Sequence, residues 1–226
     1  WLYSGFFSSF FSGFSSFSFE LSDNWTKIFA KKLAFELGIK KIVPFPKFGT
    51  AIIPNKNISI EVASARTETY SKSSRKPTEV VYTDLRGDVS RRDFTINAMA
   101  MDIHPLRYGS LTDLFSGILD INEKIIRTPL NPDETFSEDP LRMIRAAYFS
   151  SKLNFKIDQY TLKSIKKTAH RIDIVSTERI RDEFIKILKT DKPSIGIIIL
   201  QKVGLLKYIF PEIDMMYGTN QTSEWH

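Results

Sequence analysis

The ten residues Arg91-Arg92-Asp93-Phe94-Thr95-Ile96-Asn97-Ala98-Met99-Ala100 constrain this chain more than any other stretch. Two guanidinium groups, a carboxylate and an amide lead straight into an apolar run. Arginine presents a fixed fork of donors that suits phosphate oxygens, and Asp93 and Asn97 add an acceptor and an amide within one turn of chain. The apolar residues read as a buried strand that holds these polar groups at its start. The plainer alternative is an Arg-rich surface turn before a buried strand.

A second polar cluster follows about forty residues later, at Ser137-Glu138-Asp139-Pro140-Leu141-Arg142-Met143-Ile144-Arg145-Ala146-Ala147. Residues i and i+3 share a helix face, so Asp139 and Arg142 can together offer an acceptor and donors to the edge of a base. Glu138 is placed to orient Arg142. The same residues also read as a helix start, with Asp139 as N-cap and Pro140 at the first helical position. A third cluster, Glu178-Arg179-Ile180-Arg181-Asp182-Glu183-Phe184, reads equally as a solvated helix face with local ion pairs.

The surrounding pattern divides the chain. Trp25 to Leu37 reads as a helix closed by Gly38. Phe48-Gly49-Thr50-Ala51 and Ile58-Ser59-Ile60-Glu61-Val62-Ala63 read as paired strands joined by a polar turn at 54–57. Ile58, Ile60 and Val62 would face inward and Glu61 outward. Arg66 to Glu79 has no apolar period and reads as a loop. From Asp139 onward the pattern is helical. Leu141, Ile144 and Tyr148 align on one face, as do Ile180, Phe184, Ile187 and Leu188 behind Ser176 as N-cap. Ile197, Ile198, Leu200 and Val203 extend that core, and Gly204 and Pro211 punctuate the last helices.

RRDFTIN resembles a signature of the tRNA nucleotidyltransferase and poly(A) polymerase family, enzymes that extend RNA 3′ ends without a template. Ser137 to Ala147 resembles that family's nucleotide-selecting signature, and Glu178 to Phe184 its last shared one. Asp113-Leu114-Phe115-Ser116-Gly117 and Lys124-Ile125-Ile126-Arg127-Thr128-Pro129 resemble its connector from head to neck. The resemblance implies an α/β nucleotidyltransferase head with an incomplete mixed sheet and helices, followed by an all-α neck. It divides the chain into a Phe/Ser-rich segment (1–22), a partial head (23–128), a helical neck that binds nucleotide and RNA (129–214) and a polar tail (215–226).

The reaction it implies is attack of a tRNA 3′-hydroxyl on the α-phosphorus of CTP or ATP, with pyrophosphate leaving. Arg92, Asp93 and Asn97 would grip triphosphate and ribose, Asp139 and Arg142 would select the base, and Arg179 would help neutralise phosphate. Glu138 and Arg145 would support them. Glu61 matches the family's acidic strand residue beside the metal site, though an exposed strand glutamate reads as well. The segment from Arg66 matches a flexible, basic, nucleotide-proximal loop. The family uses magnesium, held by an Asp-x-Asp pair behind a Gly-Gly opening, and this sequence has neither motif. Nucleotidyl transfer depends on positioning and metal-borne charge neutralisation, so the expectation for this chain is binding with little or no catalysis. Poly(A) polymerase activity and a non-catalytic RNA- or nucleotide-binding remnant are the alternatives.

Trp1 to Phe19 carries no charge. Its phenylalanines recur at helical intervals, which suggests a membrane-surface or partner-binding face. Two glycines and a Ser-rich opposite face argue against that helix. Translation in a shifted frame is another reading, since dropping the first base permits Gly-Tyr-Ile-Arg-Asp. The end at His226 would leave out any further helical body of the relatives.

Composition fits an RNA-handling protein. A formal charge of +6 and a pI near 9.3 favour polyanions. The absence of cysteine excludes disulfide and thiolate-zinc scaffolds, and the three histidines are isolated in sequence. No P-loop or Gly-x-Gly-x-x-Gly run occurs. With no export signal or apolar span in the sequence, the expected setting is cytoplasmic and no membrane partner is expected.

Overall fold

The structure is a computed structural model, and it describes residues 24–46, 49–55, 58–71 and 74–219. The Phe/Ser-rich segment and the last residues of the polar tail lie outside the described residues. Backbone contacts group the chain into two compact units. Among the described residues the first comprises those of 24–67, 80–89 and 100–112, and the second those of 68–79, 90–99 and 113–219.

In chain order, helix α1 (Asn24–Glu36) precedes strands β1 (Val43–Phe45), β2 (Thr50–Ile53) and β3 (Ile60–Ala63). Strands β4 (Arg66–Ser71) and β5 (Ser74–Tyr82) pair with each other, helix α2 (Leu85–Ser90) follows, and β6 (Met99–Met101) pairs with β7 (Leu111–Asp113). Next come α3 (Gly117–Glu123), β8 (Ile125–Ile126), α4 (Pro132–Glu138) and α5 (Leu141–Leu153). Strand β9 (Lys156–Ile157) leads into α6 (Gln159–Thr168), α7 (Thr177–Leu188), α8 (Pro193–Lys202), α9 (Leu206–Ile209) and α10 (Pro211–Met215). Small sheets thus precede a run of helices. Among the described residues no helix is long and apolar enough to cross a membrane.

In the first unit β2 lies between β1 and β3, antiparallel to both, with Ala51 opposite Val62 and Ile53 opposite Ile60. Ala30 and Ala34 of α1 pack on Ala51 and Ile53. Alanine at these positions brings the helix axis close to the sheet, and burying a side chain the size of Ile53 contributes about 1.5–3 kcal/mol. Gly38 ends α1 at φ +67°, with the Ile39 amide donating to Ala34 O at 2.8 Å. This is a Schellman closure, and the left-handed φ is what requires glycine there.

In the second unit α5 packs against α7 and α8. Met143, Ile144, Ile187 and Leu200 are almost completely buried at the centre. Gly196 permits the approach of α8, because a Cβ there would come within 2.6 Å of Ile187 Cγ2 and 2.7 Å of Ser151 Oγ. Strands β8 and β9 are parallel, tied by Lys156 N–H to Lys124 O at 2.8 Å and Asp158 N–H to Ile126 O at 3.0 Å. Asp158 then caps α6, accepting from the amides of Tyr160 (3.0 Å) and Thr161 (3.1 Å).

Several expectations are corrected. Residues 66–79 are not a loop: most of them form β4 and β5, since backbone pairing needs no apolar side chains and Thr and Tyr favour extended chain. RRDFTIN is not a strand, because Thr95–Asn97 form a 3-10 turn and extended chain begins only at Met99. Ile58 precedes β3 and is 69% exposed, and Leu188 and Ile198 are also exposed. Each lies at the edge of its apolar stripe, where spacing alone does not separate core from rim. Ser176 holds the N-cap position of α7 without a side-chain capping bond.

Candidate functional site

Local hydrogen bonds make the 91–97 segment turn. Asp93 Oδ1 accepts from the Phe94 amide at 2.8 Å and from Asn97 Nδ2 at 3.2 Å. The amides of Asn97 and Ala98 donate three residues back, to Phe94 O and Thr95 O, each at 2.9 Å. Thr95 is held on both sides: its amide donates to Arg127 O at 2.8 Å and its hydroxyl to the buried Asp120 at 2.6 Å. Asp120 also faces Arg127 at 3.3 Å. Gly117 lets α3 close on this turn, since a Cβ would stand 2.4 Å from Thr95 O. Asp113 accepts from the amides of Gly117 (2.8 Å) and Ile118 (2.9 Å) at the start of α3. Burial pushes its carboxyl up, but the backbone donors outweigh it and hold the group below the usual carboxylate range.

The turn carries Asp93 against α5. Arg145 donates to Asp93 Oδ2 from Nε at 2.8 Å and Nη2 at 2.5 Å. The Arg145 guanidinium also lies 5.4 Å from the Phe149 ring centroid, and Phe149 meets Phe94 edge-on at 5.7 Å. Burial disfavours the charged Arg145, yet Asp93 and Glu183 more than offset it and its pKa is raised. Arg145 Nη1 stands 3.7 Å from Glu183 Oε1 of α7.

Asp139 and Arg142 stand near a junction of two helices. Asp139 falls between α4 and α5, and Pro140 takes the cap position of α5. The pair is therefore not an i, i+3 pair inside one helix, although Arg142 N–H donates to Asp139 O at 3.0 Å. Arg142 is fixed by Arg91 O at 2.7 Å, Thr135 O at 3.4 Å and Glu138 at 3.5 Å. Asp139 Oδ1 accepts from the Leu141 amide at 3.3 Å, and its Oδ2 lies 3.8 Å from Arg179.

The second unit therefore gathers Asp93, Asn97, Glu138, Asp139, Arg142, Arg145 and Arg179, with Arg92 half-buried in the same turn. Glu61 is exposed on β3 of the first unit. Glu183 was placed on the solvated face of its helix by spacing alone, but it is 6% exposed. Its signal in sequence was position only, one turn beyond Arg179. Among the described residues no three His, Cys, Asp or Glu side chains converge as metal ligands would. The carboxylates that do gather face arginines, so the described residues do not fit a magnesium centre.

Polar groups from one turn and three helices of the second unit are what a head-and-neck nucleotidyltransferase would need to hold a nucleotide. A family model described as "Poly A polymerase head domain" matches residues 22–127, and one described as "Probable RNA and SrmB- binding site of polymerase A" matches 154–216. The CCA-adding enzyme of Ligilactobacillus salivarius (strain UCC118) is 38% identical over 161 residues, 71% of this chain and 39% of the relative. The A-adding tRNA nucleotidyltransferase of Aquifex aeolicus (strain VF5) is 43% identical over 141 residues, 62% of this chain and 17% of the relative. A crystal structure of tRNA nucleotidyltransferase complexed with a primer tRNA and an incoming ATP analog matches with a TM-score of 0.71. Its identity is 31%, covering 88% of this chain and 54% of that one. The chain belongs to the tRNA nucleotidyltransferase and poly(A) polymerase family. It spans well under two thirds of the length of these relatives.

Proposed function

We propose that this chain is the nucleotide-selecting part of an enzyme that adds CCA to tRNA 3′ ends from CTP and ATP. The observation that carries the reading is the joint placement of Asp139, Arg142 and Arg179 beside the Asp93–Arg145 pair. Residues 23–128 act as head and 129–214 as neck. Asp139 and Arg142 present an acceptor and donors to the base, Arg92 and Arg179 meet the triphosphate, and Asp93 with Asn97 meets the ribose. Glu138 holds Arg142, and Glu61 stands as the head's candidate acidic residue. The RNA 3′-oxygen attacks the α-phosphorus and pyrophosphate leaves. The names of the relatives and the tRNA and ATP-analog complex support this substrate class, and the cytoplasm is the proposed setting. Magnesium is what membership of the family implies.

A second reading, addition of A alone, is the one that the A-adding relative, 43% identical over 141 residues, brings in. Titrating CTP and ATP against the 226-residue chain, and assaying each for incorporation into tRNA lacking its 3′ end, separates the readings. The expected result is weak binding of both nucleotides with incorporation at background. Binding of ATP alone would favour the second reading, and binding of neither would defeat both.

A further inference from the structure

Arg145 is held on three sides. Two of its nitrogens donate to Asp93 Oδ2, its plane meets the Phe149 ring, and its remaining Nη1 points to Glu183 Oε1 at 3.7 Å. Glu183 Oε1 also accepts from Lys186 Nζ at 2.8 Å, but its Oε2 is buried with no hydrogen-bond partner among the described residues. A buried carboxylate with one oxygen unmatched is a poor device for stability. Burial costs several kcal/mol per ion, and replacing a whole buried ion pair or triad with apolar residues is often neutral or stabilising. What the carboxylate does supply is a fixed negative charge on the side of Arg145 away from Asp93.

We propose that Glu183 is a positioning residue for nucleotide binding: from inside the helical unit it keeps the Arg145 guanidinium seated on Asp93 without touching the nucleotide. Arg145 is 32% exposed, so a guanidinium released from Glu183 has solvent to turn into. Among the described residues Asp93 would then keep the donors of its own turn, the Phe94 amide and Asn97. Its carboxylate would lose the two charge-assisted bonds that fix its second oxygen. The inference rests on reading Asp93 as a nucleotide contact, and it extends that reading to a third segment of chain.

The test uses the 226-residue chain and Glu183→Gln, which keeps the shape and removes the charge. CTP and ATP affinity is expected to fall about tenfold, the scale of coupling within one ion-pair network, in a variant that still unfolds in one cooperative transition. Preference for CTP and ATP over GTP and UTP should not change, and the loss should not add to that of Asp93→Asn. Wild-type affinity in Glu183→Gln, or losses that add to those of Asp93→Asn, would each overturn the proposal. If the unaltered chain binds neither nucleotide, the functional reading has failed on its own, and Arg145 still decides this one. Its Nε–H should give a slowly exchanging NMR signal that broadens away in Glu183→Gln, and a signal that persists unchanged in the variant sinks the inference.

Discussion

Asp139 has two duties in reach, and they leave different traces. It accepts from the Leu141 amide at 3.3 Å, one residue ahead of the cap position that Pro140 holds, and its carboxylate is 19% exposed beside Arg179. If it reads the base, Asp139→Ala should lose about 1–3 kcal/mol of discrimination against GTP and UTP, measured by competitive nucleotide binding. If it only holds the start of α5, the same substitution should lower stability by about 1 kcal/mol, the scale of one lost helix-start bond, and leave the preference intact. At this scale the sequence was most informative about which residues matter and least about what they touch. Arg91, Asp93, Asp139, Arg142 and Arg145 all lie in stretches that their chemistry singled out. That Arg145 answers Asp93 from 52 residues away, however, is a fact of packing that no local spacing contains. Glu183 shows the converse: a polar residue on a polar stripe reads as solvated until the partner that buries it is known.

The α3 start ties the candidate site to an element that carries no chemistry of its own. Gly117→Ala would place a methyl group 2.4 Å from Thr95 O, which is backbone and cannot swing aside. The variant should lose about 1–3 kcal/mol of stability in chemical denaturation, more than a surface Gly→Ala change. Asp113 supplies a pH signature for the same element. Its carboxyl is depressed in the folded state, so its contribution is complete above the unfolded value of about 3.9. That contribution disappears as pH falls through the lower folded value. Melting temperature should therefore fall more steeply on acidification for the unaltered chain than for Asp113→Asn, and parallel curves would refute the assignment. Elements followed from sequence where side-chain period and backbone need agreed, as in α1 with its Gly38 stop and the β2 and β3 pair. They failed where the two parted. Polar residues 66–71 and 74–79 are extended because their backbones pair, and the apolar-looking 94–97 segment coils because Asp93, Asp120 and Arg127 capture its amides and hydroxyl.

Across the whole molecule the excess of six positive charges should show itself as salt sensitivity. Binding of tRNA lacking its 3′ end is expected to weaken steeply between low and physiological salt through counterion release, and a flat response in filter binding would count against a polyanion partner. Another property of the chain follows from the two short parallel strands β8 and β9. By joining residues 125–126 to residues 156–157, they staple shut the stretch that contains α4 and α5, so Asp139, Arg142 and Arg145 sit inside a closed circuit rather than on an open run of helices. A circuit sealed at its neck opens as one piece. Amide hydrogens of α4 and α5 should therefore exchange with deuterium at a common, slow pace, and Ile126→Gly, by loosening the staple, should quicken the two helices together.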